Sequence, residues 1–350
     1  MSQHDTNSLS EVAAKLHDDP EQSLVFERFL PAAEIAEICE NFGYQFRERI
    51  YTPVITLWMF LGQTLSADHS CRDAVMRLNA WRVERGKINV CTNTKAYTDA
   101  RQRLPEEMVA ELARQSGRRC QQTAKQDWRW KGRPVKMADG TTLTMPDTAA
   151  NQKEYPQQKA QKKGCGFPIM RCVMIFCLAT GAALDIAMAP YRGKQTGENS
   201  LLQCIIELLF PGDILLADRY YATFANIDRA QRKGYDLVMR SHHKRKIDFR
   251  RGFKQGSYDQ VVAYEKPVKR PVWMSDEEFA KCQDSVLVRH VRYEVKVKGF
   301  RVRKITLATT LLDPILYSVE DLAELYLQRW QVEITQAECV SRTSLYRLAA

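Results

Sequence analysis

A helix that leads directly into a buried strand most constrains the fold of this 350-residue chain. Leucine and isoleucine recur at helical spacing over 196–210, and the pattern stops at a Pro–Gly pair. The run DILLA (213–217) follows as a short apolar strand, and Asp218 comes directly after it. The sequence therefore predicts an α/β unit in which a strand presents a carboxylate at its end.

Strand and helix patterns alternate on both sides of this unit. The run VKMADGTTLTM (135–145) predicts a first strand that turns at Asp139 and Gly140, where the glycine supplies the freedom a turn needs. Two apolar runs around a Thr–Gly pair predict an antiparallel hairpin over 168–190. The segment 222–233 predicts a helix closed by a glycine, and 235–240 predicts a further strand. The predicted order is three strands, a helix, a strand, a helix and a strand.

A last helix is predicted near the end of the chain. Ser318 and Asp321 have the spacing of a helix start ahead of an apolar run. In a helix, Tyr326, Arg329 and Glu333 lie on one stripe. This stripe has two interpretations: an exposed face with a minor Arg–Glu ion pair, or the third carboxylate of a site shared with Asp139 and Asp218.

The first third of the chain has a helical pattern from about residue 9 to 118, with Thr52 and Ser70 as candidate caps. Its last two predicted helices carry four cations that are candidates for contact with DNA phosphates. The alternative is a structural helical cap with a solvated basic face. These cations are Lys95, Arg101, Arg103 and Arg114.

Positive charge is concentrated between residues 241 and 304. The whole chain has a net charge of +10, and this segment has 17 Lys or Arg against 8 Asp or Glu. Alternation in VRHVRYEVKVKGFRVRK (288–304) predicts strands with cations on one face and valines on the other. Such a face suits a DNA backbone, although an ordinary exposed sheet face is the alternative. Trp273 is either a residue that stacks on a base or a packing anchor.

Several of these segments together resemble one enzyme family. The spacing of Tyr326, Arg329 and Glu333 resembles the signature of the insertion-sequence-four branch of DDE transposases, and ADGTTL and LLADRYYATF resemble the segments around its two catalytic aspartates. YRGKQTGENSLL and YTDARQRLP also resemble segments of these proteins. The resemblance runs from about residue 50 to Glu333. It implies an α/β fold with an RNase H-like catalytic core, a β-rich insertion and a preceding all-helical domain.

The resemblance also implies a metal-dependent site. Two Mg²⁺ ions, with Mn²⁺ as a substitute, would be held about 3.5 to 4 Å apart. Asp139 would bridge both ions, Asp218 would bind one and Glu333 the other, since hard cations prefer carboxylate oxygen.

Four further residues are expected to contact DNA. Arg329 would bind a phosphate near the scissile bond, and Tyr326 would contact a phosphate or a displaced base. Arg192 and Lys194 would steer the strand into the site, or else belong to a solvated loop.

The expected organisation has four parts. They are a helical, DNA-binding region (1–125), the first part of the core (126–240), the basic insertion (241–312), and a segment with the Glu333 helix and an atypical end (313–350).

The expected partners are the terminal inverted repeats of a transposon and target DNA, with a homodimer forming on DNA. No membrane role is expected, because the longest apolar run, PVITLWMFL (53–61), is too short to span a bilayer. The opening MSQHDTNSLS lacks the layout of a secretory signal, so a cytoplasmic location is expected.

One departure from the family pattern leaves the activity open. The branch signature has a lysine seven residues after its glutamate, where this chain has Val340. We therefore expect a frameshifted or carboxyl-terminally truncated copy. The alternatives to an active transposase are an inactive DNA-binding protein or relic, and a nuclease of RNase H type that does not join strands.

Overall fold

The computed structural model describes residues 26–27, 30–47, 49–158, 160, 162, 164–242, 244–295 and 303–329. Their contacts form two compact units, one with residues up to 116 and the other beginning at 117. Each unit has its own apolar core.

The first unit is built from helices. The predicted caps are confirmed: Thr52 Oγ1 accepts from the backbone N–H of Ile55 at 3.3 Å, and Ser70 Oγ from that of Asp73 at 3.0 Å. The helix predicted within 9–25 lies outside the described residues. The helices are α1 (Ala32–Asn41), α2 (Pro53–Leu65), α3 (Cys71–Glu84), α4 (Lys95–Arg103) and α5 (Glu106–Gln122), whose last turns belong to the second unit.

The second unit contains a nine-stranded sheet in the order β3-β2-β1-β4-β5-β9-β8-β7-β6. β1, β4 and β5 are parallel neighbours, and the other pairs are antiparallel. The strands are β1 (Val135–Thr144), β2 (Ile169–Cys177), β3 (Ala183–Pro190), β4 (Ile214–Ala217), β5 (Asp236–Arg240), β6 (Phe253–Gly256), β7 (Asp259–Glu265), β8 (Ser285–Val295) and β9 (Arg303–Thr309).

The predicted order of strands and helices from 135 to 240 is confirmed, including the hairpin of β2 and β3. The helix predicted over 196–210 is shorter, because α7 (Glu198–Ile205) gives way to a 3-10 turn before β4. Short helices α6 (Ala149–Glu154) and α9 (Asp276–Ala280) were not predicted. Helix α8 (Phe224–Lys233) ends at Gly234, as predicted, in a left-handed conformation with φ of 79°.

The basic segment after β5 belongs to the same sheet. β9 pairs with β5 on one side and β8 on the other, so β6 to β9 extend the sheet. The expectation that the cations of 288–304 share one exposed face is wrong for Arg289, which is fully buried. Its guanidinium donates to both carboxylate oxygens of Asp259, and this pairing holds the charge inside. Trp273 packs on the core, which agrees with the packing alternative.

The last described helix, α10 (319–329), covers part of the sheet. Leu322 and Leu325 are fully buried against strand residues such as Met137 and Leu216. The predicted start is confirmed by reciprocal hydrogen bonds of 3.1 Å between the Ser318 and Asp321 side chains and each other's backbone N–H. The helix therefore has a fixed beginning and a buried face ahead of Tyr326.

Candidate active site

The two predicted catalytic aspartates come directly after the last paired residues of the parallel strands β1 and β4. Ala138 of β1 is paired with Ala217 of β4 in the last pair of this ladder, and Asp139 and Asp218 come next. Parallel neighbours leave the ladder in the same direction, so the two aspartates lie at the same place on the sheet. One detail of the prediction is wrong: β1 does not turn at Asp139, since its pairing with β2 continues to Thr144.

Helix α10 brings a cation to this place. Nη1 of Arg329 lies 3.9 Å from Oδ1 of Asp139, and the arginine is only 8% exposed. Tyr326 is 4% exposed and packs in the apolar cluster beneath α10, with the Arg329 guanidinium carbon 5.9 Å from its ring centre. Burial raises the pKa of Tyr326, Arg329 lowers it and the charge of Asp218 raises it further. The structure thus brings Tyr326 and Arg329 together with both aspartates.

A third carboxylate, which the sequence reasoning missed, reaches the same place. Glu198 is the first residue of α7, and a Cβ added to Gly140 would lie 2.7 Å from Cδ of Glu198. Burial raises the pKa of Glu198; Arg171 lowers it and Asp218 raises it. A glutamate in the first turn of a helix is common for electrostatic reasons alone. Its position therefore carried no signal of a site, although it lies within the segment YRGKQTGENSLL.

Tyr221 was also missed and lies among these acids. It is 1% exposed, and its hydroxyl has no hydrogen-bond partner among the described residues. Burial raises its pKa most, and the charges of Glu198, Asp139 and Asp218 raise it further. A buried hydroxyl without a partner is costly in an apolar interior. Here it provides a neutral donor beside three acids.

Arg192 and Lys194 lie in the turn that precedes α7, and both side chains are exposed to solvent. The turn is anchored by Arg171, whose Nη1 donates to the carbonyl of Thr196 at 2.9 Å. This placement fits either of the two expected roles.

The cations proposed for the helical unit are mostly engaged within it. Lys95 Nζ lies 2.9 Å from an oxygen of Asp99, and Arg114 Nη1 lies 2.8 Å from one of Glu111. Arg101 donates to Gln63. Arg103 instead lines a pocket of about 730 Å³ together with Arg47 and Arg49, among other residues.

The acids of the second unit have the chemistry of a divalent-cation site. Carboxylate oxygens are the ligands that Mg²⁺ and Mn²⁺ prefer, and two carboxylates come directly after the β1–β4 ladder. Among the residues that the structure describes, however, no three His, Cys, Asp or Glu side chains are grouped closely enough to hold a metal ion. The third predicted ligand, Glu333, lies outside the described residues. The described aspartates therefore fit as part of a metal site.

No helix within the described ranges is both long and apolar enough to cross a membrane.

Comparison with known protein families agrees with this geometry. Residues 130–347 match the sequence model of the transposase DDE domain, a range that includes Asp139, Asp218 and Glu333. The match continues beyond Val340, where the chain departs from the branch signature. Comparison with curated proteins finds no match. Because the family match covers more than half of the sequence, this chain belongs to the family of transposases with a DDE domain.

Proposed function

We propose that this protein is a metal-dependent DNA transposase of the insertion-sequence-four branch that cleaves DNA at the ends of its element and joins them to target DNA. The observation that carries the proposal is the adjacency of Asp139 and Asp218 on parallel strands, with Arg329 3.9 Å from Asp139. Two carboxylates and a buried cation at one place on a sheet suit the chemistry of a phosphodiester.

In this proposal Asp139, Asp218 and Glu333 are the ligands of two Mg²⁺ ions. When bound, the ions stabilise the charge that develops on the attacking and leaving oxygens. The chain's own residues bind and orient the DNA strand. Glu333 is four residues after Arg329, one helical turn in sequence spacing.

Arg329 is proposed to bind the phosphate next to the scissile bond. Its guanidinium lies 3.9 Å from Asp139, so a phosphate bound by it would lie close to the proposed metal ligands. A planar guanidinium can bind the oxygens of a phosphate at two points. Tyr326, packed beneath it, limits the directions in which the guanidinium can move.

The larger organisation follows from the same proposal. The sheet from β1 to β5 and helix α10 would form an RNase H-like core divided by the basic insertion, with boundaries near residues 125, 240 and 312. The helical unit would bind the terminal inverted repeat, Arg192 and Lys194 would guide the strand, and two copies would pair on DNA.

The test is a cleavage assay with the full chain, the DNA that flanks its gene and Mg²⁺. We expect nicks at the element ends followed by strand joining, and loss of both in Asp139→Ala. Asp147→Ala is the matched control, since Asp147 is exposed and bonds only to Gln152 among the described hydrogen bonds.

Three outcomes would change the proposal. Salt-sensitive DNA binding without nicking by the native chain would favour the inactive DNA-binding alternative. Nicking without joining would favour a nuclease. Equal nicking by native and Asp139→Ala proteins would exclude this site.

A further inference from the structure

A pocket of about 770 Å³ lies in the basic segment, away from the aspartates. It is lined by the loop that follows β5 and by strands β7 and β8. Five cations line it against one carboxylate, Asp248, which is already paired with Arg250 and Arg251. Within the described residues, Arg245, Lys246 and Arg292 make no salt bridge. The pocket thus combines a concave shape with positive charge that the described carboxylates leave unneutralised.

Aromatic rings hold two of these cations in place. The guanidinium of Arg245 lies 3.6 Å from the ring centre of Tyr264, and that of Arg292 lies 4.6 Å from the ring of Phe249. Because a guanidinium lies against each of these rings, that side of the ring is not open for a base to stack on. Nε of Arg292 donates to Oγ1 of Thr306 at 3.0 Å. Among the described hydrogen bonds, none involves the Arg245 guanidinium or the terminal amino groups of Arg292, so these groups can donate to an anion.

A buried donor also lines the pocket. His290 is 3% exposed, its Nε2 lies 2.6 Å from the hydroxyl of Tyr264, and its Nδ1 has no hydrogen-bond partner among the described residues. Burial, with smaller contributions from Arg245 and Arg292, lowers the pKa of His290 to about 4, so the ring is neutral near pH 7. If Tyr264 donates to Nε2, the proton is on Nδ1, which becomes a neutral donor for an anion.

The fold links this pocket to the sheet that carries the aspartates. The loop starts after β5, which is parallel to β4, so it leaves the sheet in the same direction as the segment that starts with Asp218. Pairing across the sheet runs from Ala217 through β5 and β9 to His290, which is a distance of three strands. At about 4.8 Å per strand, the two residues are about 14 Å apart. The pocket is therefore a separate site on the same sheet.

We propose that this pocket binds a phosphate group of the DNA strand, through Arg245, Lys246, Arg292 and the Nδ1–H of His290. The inference rests on the proposed function for the nature of the anion. A phosphodiester matches the site because it is a compact anion with several acceptor oxygens, and the guanidinium fork binds such groups in two-point fashion.

The test is equilibrium binding of a labelled oligothymidylate to the full chain, without divalent metal, over a range of NaCl concentrations. The double variant Arg245→Gln, Lys246→Gln should bind about tenfold more weakly, and the slope of log K against log salt should be less steep by about 1.4. The control Lys254→Gln, Lys269→Gln removes the same charge from exposed positions outside the pocket. It should change affinity and slope much less.

Two further binding measurements complete the test. The pocket variant should bind an abasic oligonucleotide more weakly than the native chain does, by the same factor as for oligothymidylate. The reason is that the contact is to phosphate and not to a base. Inorganic phosphate should compete only weakly with the oligonucleotide. Equal losses in the two double variants would overturn the proposal, as would a pocket variant that loses binding of inorganic phosphate but not of DNA.

The cleavage assay tests the proposed function separately from phosphate binding in the pocket. Asp139→Ala should retain oligothymidylate binding while losing cleavage. A chain that never cleaves DNA can still show the pocket effect, and an active chain can lack it. Thermal unfolding of both double variants checks that neither change has unfolded the protein.

Discussion

At the scale of single residues, the candidate site depends on close contacts that leave little free space. One of them is between Gly140 and Glu198: a Cβ added to Gly140 would lie 2.7 Å from Cδ of Glu198, so the carboxyl group takes the space of a missing side chain. Glycine after Asp139 was interpreted from sequence as a turn residue. In the structure it lies within β1, and its lack of a Cβ makes room for Glu198.

Gly140→Ala should lower the free energy of unfolding by about 1 to 3 kcal/mol, since the added methyl would overlap the Glu198 side chain. Glu198→Ala in the same chain should remove most of this loss. Gly256→Ala is the control, because its added Cβ would be at an ordinary 3.4 Å from the nearest atom. Urea unfolding of the single and double variants measures the coupling, and additive effects would contradict the contact.

His290 gives a second prediction at this scale. Its pKa is lowered to about 4, below its ordinary value near 6.5, chiefly by burial. Between these values the unfolded chain binds more protons than the folded one. The contribution of His290 to the free energy of unfolding is therefore fully present above pH 6.5 and is lost as the pH falls towards 4.

The loss attributable to His290 should be about 3 kcal/mol over this range. It is measured as the difference in unfolding free energy between the native chain and His290→Gln at each pH. Tyr264→Phe should retain the pH dependence, because burial and not the tyrosine hydroxyl lowers the pKa. Parallel pH profiles for native and His290→Gln proteins would show that the ring titrates normally in the folded state.

At the scale of secondary-structure elements, the position of the two aspartates depends on the register between β1 and β4. A buried ion pair joins these elements: Nζ of Lys136 in β1 lies 2.6 Å from Oδ2 of Asp213, just before β4. The same carboxylate oxygen accepts from the backbone N–H of Phe210 at 2.8 Å. Both side chains of the pair are almost fully buried, so each charge depends on the other.

Asp213→Ala should therefore destabilise the protein by about 3 to 5 kcal/mol, because it leaves a lysine buried without its partner. Lys136→Met combined with Asp213→Leu should cost much less, since no unpaired charge remains. Chemical unfolding monitored by circular dichroism compares the two. A loss below about 1 kcal/mol for Asp213→Ala, typical of an exposed pair, would contradict this account.

The elements also show what sequence can predict here. Local signals were sufficient for the helix caps at Thr52 and Ser70, the β2–β3 hairpin and the start of α10, because each depends on neighbouring residues. The continuation of β1 past Asp139 depends on pairing with β2, which no local pattern reveals.

The burial of Arg289 and the approach of Glu198 likewise depend on distant partners. Arg289 is neutralised by Asp259, which is 30 residues earlier in the chain. Glu198 is brought to Gly140 only when α7 packs on the sheet. Alternation of charged and apolar residues therefore predicted β8 and β9, while 296–302 lie outside the described residues. It could not identify which charged side chains would be buried.

At the scale of the whole molecule, one continuous sheet carries both proposed DNA-binding features. Its parallel strands position Asp139 and Asp218, and the segment 241–304, which includes β6 to β8 and the start of β9, has 17 Lys or Arg against 8 Asp or Glu. The same sheet thus extends from the proposed chemistry to the proposed phosphate pocket. Family membership agrees with this arrangement, since the matched residues 130–347 contain the whole sheet.

Asp139 and Asp218 are proposed to bind the catalytic metal. This role is tested by nicking with Asp139→Cys and Asp218→Cys proteins in Mg²⁺ and in Mn²⁺, with Asp147→Cys as the control. Mg²⁺ prefers oxygen ligands and Mn²⁺ accepts sulfur better. We predict that both cysteine variants are inactive in Mg²⁺ and recover part of their activity in Mn²⁺, while the control is active with either ion. Nicking at the native rate by either variant in Mg²⁺ would contradict the claim.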